Sequence, residues 1–317
     1  MMPISIHKSA RILFLSSVGF AALSACSTTT AGLTAGGATP GHTAQNYETI
    51  TSTAATTSTL GGSQMSFHSP TGAATVPIFT VVSTTGSRNN STGGLTLDDG
   101  TYLFVDANGP DATTGAVTDG TATGRVGQAA LAYTGVYNYL TPYDLSYSKN
   151  GKNYNTFGIA GVITDTSDMP VAGSATYHGE AAALSRINSG ASGRLTEYSQ
   201  GKSTVTANFG SGTASVDMGS FAKITQGIST VPVPAGTEPM NQIHGTGLQI
   251  SGAHFTGGTW VTQKNGVTVQ LLGAGATSSA SGTFFGYDPN QSAPSEAGGV
   301  VEIFSGTGYV LGEYIAK

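Results

Sequence analysis

The sequence predicts an all-β protein, with an antiparallel barrel of eight strands in its C-terminal half and a looser β-rich region before it. Three observations predict this. Gly supplies 46 of 317 residues and charged residues only 9%. Gly, Thr and Ser lower helix propensity, so a helical bundle is a poor fit. In the second half Leu, Ile, Val, Tyr and Phe recur at every other position, the period of a strand with one face buried. Turn signals separate these runs at the spacings of a sandwich or barrel. Frequent glycines suit the bends of a small barrel, and closure would remove free edges from a threonine-rich strand set with few charges.

The N-terminus carries a targeting signal. Lys8 and Arg11 precede the apolar run Ile12–Leu23, which is too short and too weakly flanked to span a bilayer as a helix. Leu23-Ser24-Ala25-Cys26 follows, and Cys26 is the only cysteine. This resembles the lipobox of bacterial lipoproteins, which implies cleavage before Cys26 and acylation of its thiol. Several acyl chains on one residue give stable anchoring, where one gives marginal binding. Ser27, not Asp, follows the cysteine, which by the sorting rules of such lipoproteins implies the outer membrane. A lipidated Cys26 leaves no thiol for catalysis or metal binding. Residues 1–25 carry two bases and no acid, so the mature chain keeps 10 basic and 17 acidic residues, a formal charge of −7. That charge argues against nucleic acid or a polybasic membrane contact.

Residues 27–59 are a Thr/Ser/Ala tether, flexible to about residue 45, with Tyr47–Ile50 a candidate first strand. Further strands are expected at 65–68 and 76–82, where Pro77 implies an edge position or a late start. Gly86–Gly94 reads as a turn-rich loop. Leu95–Leu97 and Thr101–Val105 flank Asp98-Asp99-Gly100, a hairpin turn. Residues 106–128 read as an exposed loop. Asn150-Gly151 is a strong hairpin signal before Tyr154. From there Phe157–Thr164 and Gly173–Glu180 read as two strands opening the barrel, joined by a loop containing Pro170. On the second, Ala175, Tyr177, Gly179 and Ala181 share one face, and Thr176, His178 and Glu180 the other. Val205, Ala207 and Phe209 alternate with polar residues, as do Ala214, Val216 and Met218 beyond the turn at 210–212. Strands at 243–251 and 254–262 meet at Gly252-Ala253, and Asn265-Gly266 turns the chain into 267–272. The last strands fall at 281–287, 299–304 and 308–317.

Several of these segments carry a resemblance. Phe157-Gly, Gly173-x-Ala-Thr-Tyr-x-Gly-Glu180, Ser203-x-Val-x-Ala-Asn-Phe209, Gly282-x-Phe-Phe-Gly286, Glu296-Ala-Gly-Gly299 and Gly312-x-Tyr-x-Ala-Lys317 look like the barrel of transferrin-binding-protein-B-like surface lipoproteins. Factor-H-binding-protein-like lipoproteins have similar barrels. The resemblance covers residues 154–317. It implies a signal peptide at 1–25, a lipidated tether at 26–45, an open β handle domain at 46–152 and the barrel at 153–317. The loop Tyr287–Ser295 is longer than in that family, and Tyr314 replaces an expected phenylalanine. These motifs are fold-closing residues, so they imply architecture and not a ligand.

Candidate chemistry is sparse. His178 and Glu180 share a strand face, as a ligand or acid–base pair would, but a polar barrel exterior explains them better. His68, His178, His244 and His254 could serve haem or a metal, yet no two stand at a recognised metal spacing. Asp98–Gly100 and Asp106–Asp111 are fragments of calcium-loop pattern better explained by turn chemistry. No Gly-x-Ser-x-Gly elbow supports a hydrolase. Tyr133, Tyr137, Tyr139, Tyr143, Tyr147 and Tyr154 form the densest aromatic cluster, suited either to a protein interface or, preferably, to the seam between handle and barrel. The expected function is non-catalytic binding of a protein, with an iron carrier as the narrower expectation and no cofactor. The alternatives are a haem-binding protein and a structural envelope lipoprotein.

Overall fold

The computed structural model describes residues 60–68, 78–89, 94–97, 116–119, 122–126, 133–135, 137–149, 152–187, 194–227, 231–287 and 292–317. Cys26, the tether, Asp98–Gly100 and Asp106–Asp111 lie outside them. The described residues are nearly all strand, in two antiparallel sheets.

The first sheet has seven strands in the order β3-β2-β1-β7-β6-β5-β4. They are β1 (Leu60–His68), β2 (Ile78–Asn89), β3 (Gly94–Leu97), β4 (Ala116–Asp119), β5 (Ala122–Val126), β6 (Leu140–Lys149) and β7 (Lys152–Val162). β2 starts directly after Pro77, whose ring cannot donate to the ladder. Lys149 stands opposite Lys152 where β6 meets β7, and the expected turn residues Asn150 and Gly151 lie outside the described residues.

The other eleven strands surround or build the barrel. β8 (Ser174–Ile187), β9 (Arg194–Asn208), β10 (Thr213–Gly219), β13 (Gln242–Ser251), β14 (His254–Lys264), β16 (Thr277–Tyr287), β17 (Pro294–Ser305) and β18 (Gly308–Ala316) pair in succession. The ring closes because β9 pairs both β8 and β10. Short strands β11 (Lys223–Gln226), β12 (Val231–Pro232) and β15 (Val267–Val269) lie off the ring. Asn265 and Gly266 carry φ of 52° and 78°, and they turn β14 into β15. At the other end of the chain Lys317 exchanges two backbone hydrogen bonds with His178 and seals β18 to β8.

Three expectations are corrected. Phe157–Val162 does not open the barrel: β7 pairs β1 and β6 in the centre of the first sheet. Only an isolated bridge, Ile163 to Phe285, touches the barrel ladder, so the ring begins at Ser174. Residues 106–128 are not a continuous loop, since β4 and β5 form a hairpin that extends the sheet beyond β6. The Thr/Val/Ala alternation there is weak, and pairing with a formed neighbour decides it. Gly86–Asn89 belongs to β2 and not to a loop, because β3 pairs it residue for residue.

The barrel interior is solid. Tyr177, Tyr198, Phe209, Phe255, Phe284 and Trp260 fill it together with aliphatic residues, and all eight strands contribute to the cluster. Phe284 meets Phe255 at 4.8 Å and Phe209 at 5.6 Å between ring centroids. Two further apolar clusters join the sheet to the barrel's outer face. One holds Leu140, Ile159, Ala253, Phe285 and Ile315, with Tyr133 and Tyr137. The other holds Met65, Phe157, Leu184, Val300, Tyr309 and Leu311. Strands β16, β17 and β18 are therefore buried on both faces, which is why 300–304 and 309–315 read as near-continuous apolar runs.

Candidate functional site

With the interior filled and one outer face covered by the sheet, the opposite wall of the barrel is the one left uncovered by a second sheet among the described residues. On that wall the cross-strand register aligns His178, Thr204, Asp217 and His244 on four adjacent strands. His244 Nδ1 lies 2.6 Å from Asp217 Oδ1, and Gln242 Nε2 donates to the same oxygen at 3.0 Å. His178 is exposed, and its Nδ1 sits 3.4 Å from the Thr204 hydroxyl. Cross-strand neighbours stand about 5 Å apart, so the row as a whole is spread out, and only His244 and Gln242 meet on one atom, Asp217 Oδ1.

A groove of about 560 Å³ opens on the same wall. Its floor includes Lys202, Thr204, Asp217 and Gln242, from β9, β10 and β13. Its roof comes from residues 220–227, which leave the barrel after β10 and pair β11 with the N-terminal half of β9, and from residues 231–241, which begin with β12 and return to β13. The longer β9 makes this possible: residues 202–208 close the ring with β10, and residues 196–199 hold β11. Phe221 packs on Tyr198 at 5.3 Å and lies over Gly201, where a Cβ would come within 2.5 Å of its ring. The roof is fastened at its return. Lys264 Nζ donates to the carbonyls of Gly236 and Glu238 at 2.8 and 2.9 Å. Asn241 donates its side-chain amide to Asn265 Oδ1 at 2.7 Å and accepts from the Asn265 backbone N–H at 2.9 Å. These bonds hold the groove open in advance of any ligand.

The seam is a clasp of carboxylates. Glu180 on β8 accepts from the backbone N–H of Thr134 and Gly135, at 2.8 and 2.9 Å, and from the Thr134 hydroxyl at 2.6 Å. Glu296 on β17 accepts from the backbone N–H of Asn138, Tyr139 and Leu140 at 2.6, 3.0 and 3.1 Å. Glu313 on β18 accepts from the Tyr133 hydroxyl at 3.0 Å. Burial pushes the Glu296 carboxyl up to about 7, against the pull of its three N–H donors and Lys317. Glu180, expected on a solvated exterior, is thus engaged in the seam, while His178 two residues away is in solvent. Tyr133 and Tyr137 are buried in the seam, as the preferred reading of the tyrosine cluster expects. Tyr143 is buried in the first sheet and donates to Gln64 at 3.1 Å.

A chain of hydroxyls also crosses the seam. Ser83, Ser281, Ser63 and Thr283 link at 2.7, 3.0 and 2.8 Å, and His254 Nδ1 meets the Thr283 hydroxyl at 3.0 Å. Burial lowers the pKa of His254. Of the four histidines considered for haem or metal, His68 ends β1, His178 is in solvent, His244 serves Asp217 and His254 serves the seam. Among the described residues no three His, Cys, Asp or Glu side chains lie close enough to hold a metal ion. Sequence reasoning missed Glu238 and Glu313, and took Glu296 only as part of a fold-closing motif without its role at the seam. Glu238 and Glu313 have no local signature, because each acts on a segment remote in the chain.

No known family profile matches the sequence, and no curated protein matches it. Among solved structures the chain is similar to transferrin-binding protein B of Haemophilus parasuis, at 17% identity and a TM-score of 0.48, covering 82% of this chain and 44% of that one. It is similar to isotype 1 transferrin-binding protein B of Neisseria meningitidis, at 17% identity and a TM-score of 0.44, covering 82% and 43%. It is also similar to HpuA of Kingella denitrificans, solved in complex with human haemoglobin, at 13% identity and a TM-score of 0.39, covering 84% and 90%. The chain spans less than half the length of those transferrin-binding proteins.

Proposed function

We propose that this protein is a non-catalytic surface lipoprotein, anchored in the outer membrane through acylated Cys26, that binds a soluble protein on the polar wall of its barrel. The observation that carries the reading is the roofed groove on that wall, beside a barrel whose interior is already filled by its own aromatic side chains. A filled interior leaves no chamber for haem, so recognition falls to the wall and loops, where such scaffolds present variable contacts. An iron-carrying protein is the narrower form of the proposal, in keeping with the transferrin and haemoglobin named for the similar structures.

Two experiments test it. Purified full-length chain is titrated with transferrin and with haemoglobin by surface plasmon resonance. Saturable binding to either supports the iron-carrier form, and binding to neither rejects it. Cell fractionation of Cys26→Ala should move the protein from the membrane to the soluble fraction, and retention on the membrane would overturn the anchor.

A further inference from the structure

One carboxylate oxygen at the groove has no hydrogen-bond partner among the described residues. Glu238 lines the groove and is 8% exposed, and its Oε2 is buried with no hydrogen-bond partner among the described residues. Burying a carboxylate oxygen unpaired is costly, and such a group is ordinarily met by a cation or by N–H donors. Lys264 makes no hydrogen bond to that oxygen: its ammonium donates to the backbone carbonyls of Gly236 and Glu238. The strap is thereby built so that the Glu238 backbone is satisfied and part of its side chain is not.

The rest of the groove states what kind of cation fits. Phe221, Ile224 and Val233 give it an apolar flank. Asp217 adds a second carboxylate on the floor, already shared between Gln242 and His244. A compact inorganic cation would leave the apolar flank uncovered, and a neutral polar ligand would leave Glu238 uncompensated. A basic amino-acid side chain matches both, with methylenes against the apolar residues and its charged head on the carboxylate. The acidic balance of the chain favours the approach of such a partner.

We propose that the groove receives an arginine or lysine side chain of the bound protein, with Glu238 as its counter-ion. This rests on the protein-binding function proposed above and names the chemistry of its contact. Lys202, exposed at the groove, adds a positive charge that opposes the incoming cation.

The test titrates the full chain with N-acetyl-arginine methylamide, and with N-acetyl-glutamine methylamide as the uncharged control, by NMR. The arginine probe should bind saturably and the glutamine probe should not. Glu238→Gln should weaken the arginine probe about tenfold or more, as expected for removing one partner of a desolvated charge pair. Lys202→Glu, at an exposed position that does not threaten folding, should tighten it. Equal binding of both probes, no binding of the arginine probe, or affinity unchanged in both variants would overturn the proposal. The two levels of the reading separate cleanly. If transferrin or haemoglobin binds wild type and Glu238→Gln equally, the groove assignment fails and protein binding stands. If neither protein binds but the arginine probe binds in a Glu238-dependent way, the iron-carrier form fails and the groove chemistry stands.

Discussion

At Gly282 there is no room for a methyl group. A Cβ there would sit 2.1 Å from the ring of Phe255, which is fully buried and packed on Phe284. Gly282→Ala must push that ring aside, and overpacking of this kind costs about 1–3 kcal/mol. Urea denaturation should show the loss, and an unchanged midpoint would mean that the ring has space the packing denies. Glu296 and Glu302 give the residue scale a pH dependence. Burial pushes each carboxyl up to about 7. A folded-state value above the unfolded one means that folding favours the protonated form, so stability is greatest below the unfolded carboxylate range. It is lost as pH rises from about 4.5 toward 7. The melting temperature should therefore fall between pH 5 and pH 8. Glu296→Gln, neutral throughout, should flatten that slope, and an equally steep slope in the variant would assign it elsewhere.

At the scale of elements, the segment 133–140 is held by side chains and not by a ladder. Its described residues form no strand before Leu140, yet seven of their groups are bound by Glu180, Glu296 and Glu313 on three adjacent strands. Glu180→Ala should release the Thr134 and Gly135 amides, so hydrogen exchange there should speed up while β9 and β10 keep their protection. Unaltered exchange at 134–135 would show that the tyrosines alone hold the segment. The hydroxyl chain through Ser63, Ser281 and Thr283 works similarly on β1, β2 and β16. Thr283→Val keeps the shape but leaves Ser63 and His254 short of a partner, and should cost about 1–3 kcal/mol in thermal or chemical unfolding. A neutral result would indicate that water replaces the hydroxyl.

At the scale of the molecule, the two sheets share apolar clusters, carboxylate contacts and hydroxyl contacts across one seam. They should therefore unfold together. Trp260, the only tryptophan, reports on the barrel core. Its fluorescence and the exchange of β1 and β7 amides should give coincident transitions, and two separated transitions would make the sheets independent units. Leu311→Ala, in the seam at 1% exposure, should lower both together by about 2–5 kcal/mol.

The sequence by itself determined the β class, the strand alternation over 203–218 and the turns at Gly252-Ala253 and Asn265-Gly266. These depend on local periodicity and on backbone conformations that few residues adopt. It determined the seam role of Tyr133 and Tyr137 in outline, since clustered tyrosines must bury area somewhere. Only the tertiary structure decided that β7 belongs to the first sheet, because a central strand of either sheet would show the same apolar pattern. Only the structure placed Glu180 in a clasp and His178, on the same strand face, in solvent. The groove was invisible for the same reason: Glu238 stands between a threonine and a proline in an ordinary loop, and its stretch of chain is tied down by Lys264 and Asn265, more than twenty residues on. Periodicity reports which residues are buried together along one element. Which remote segment covers a given charge is set by closure of the ring, and no local pattern encodes it.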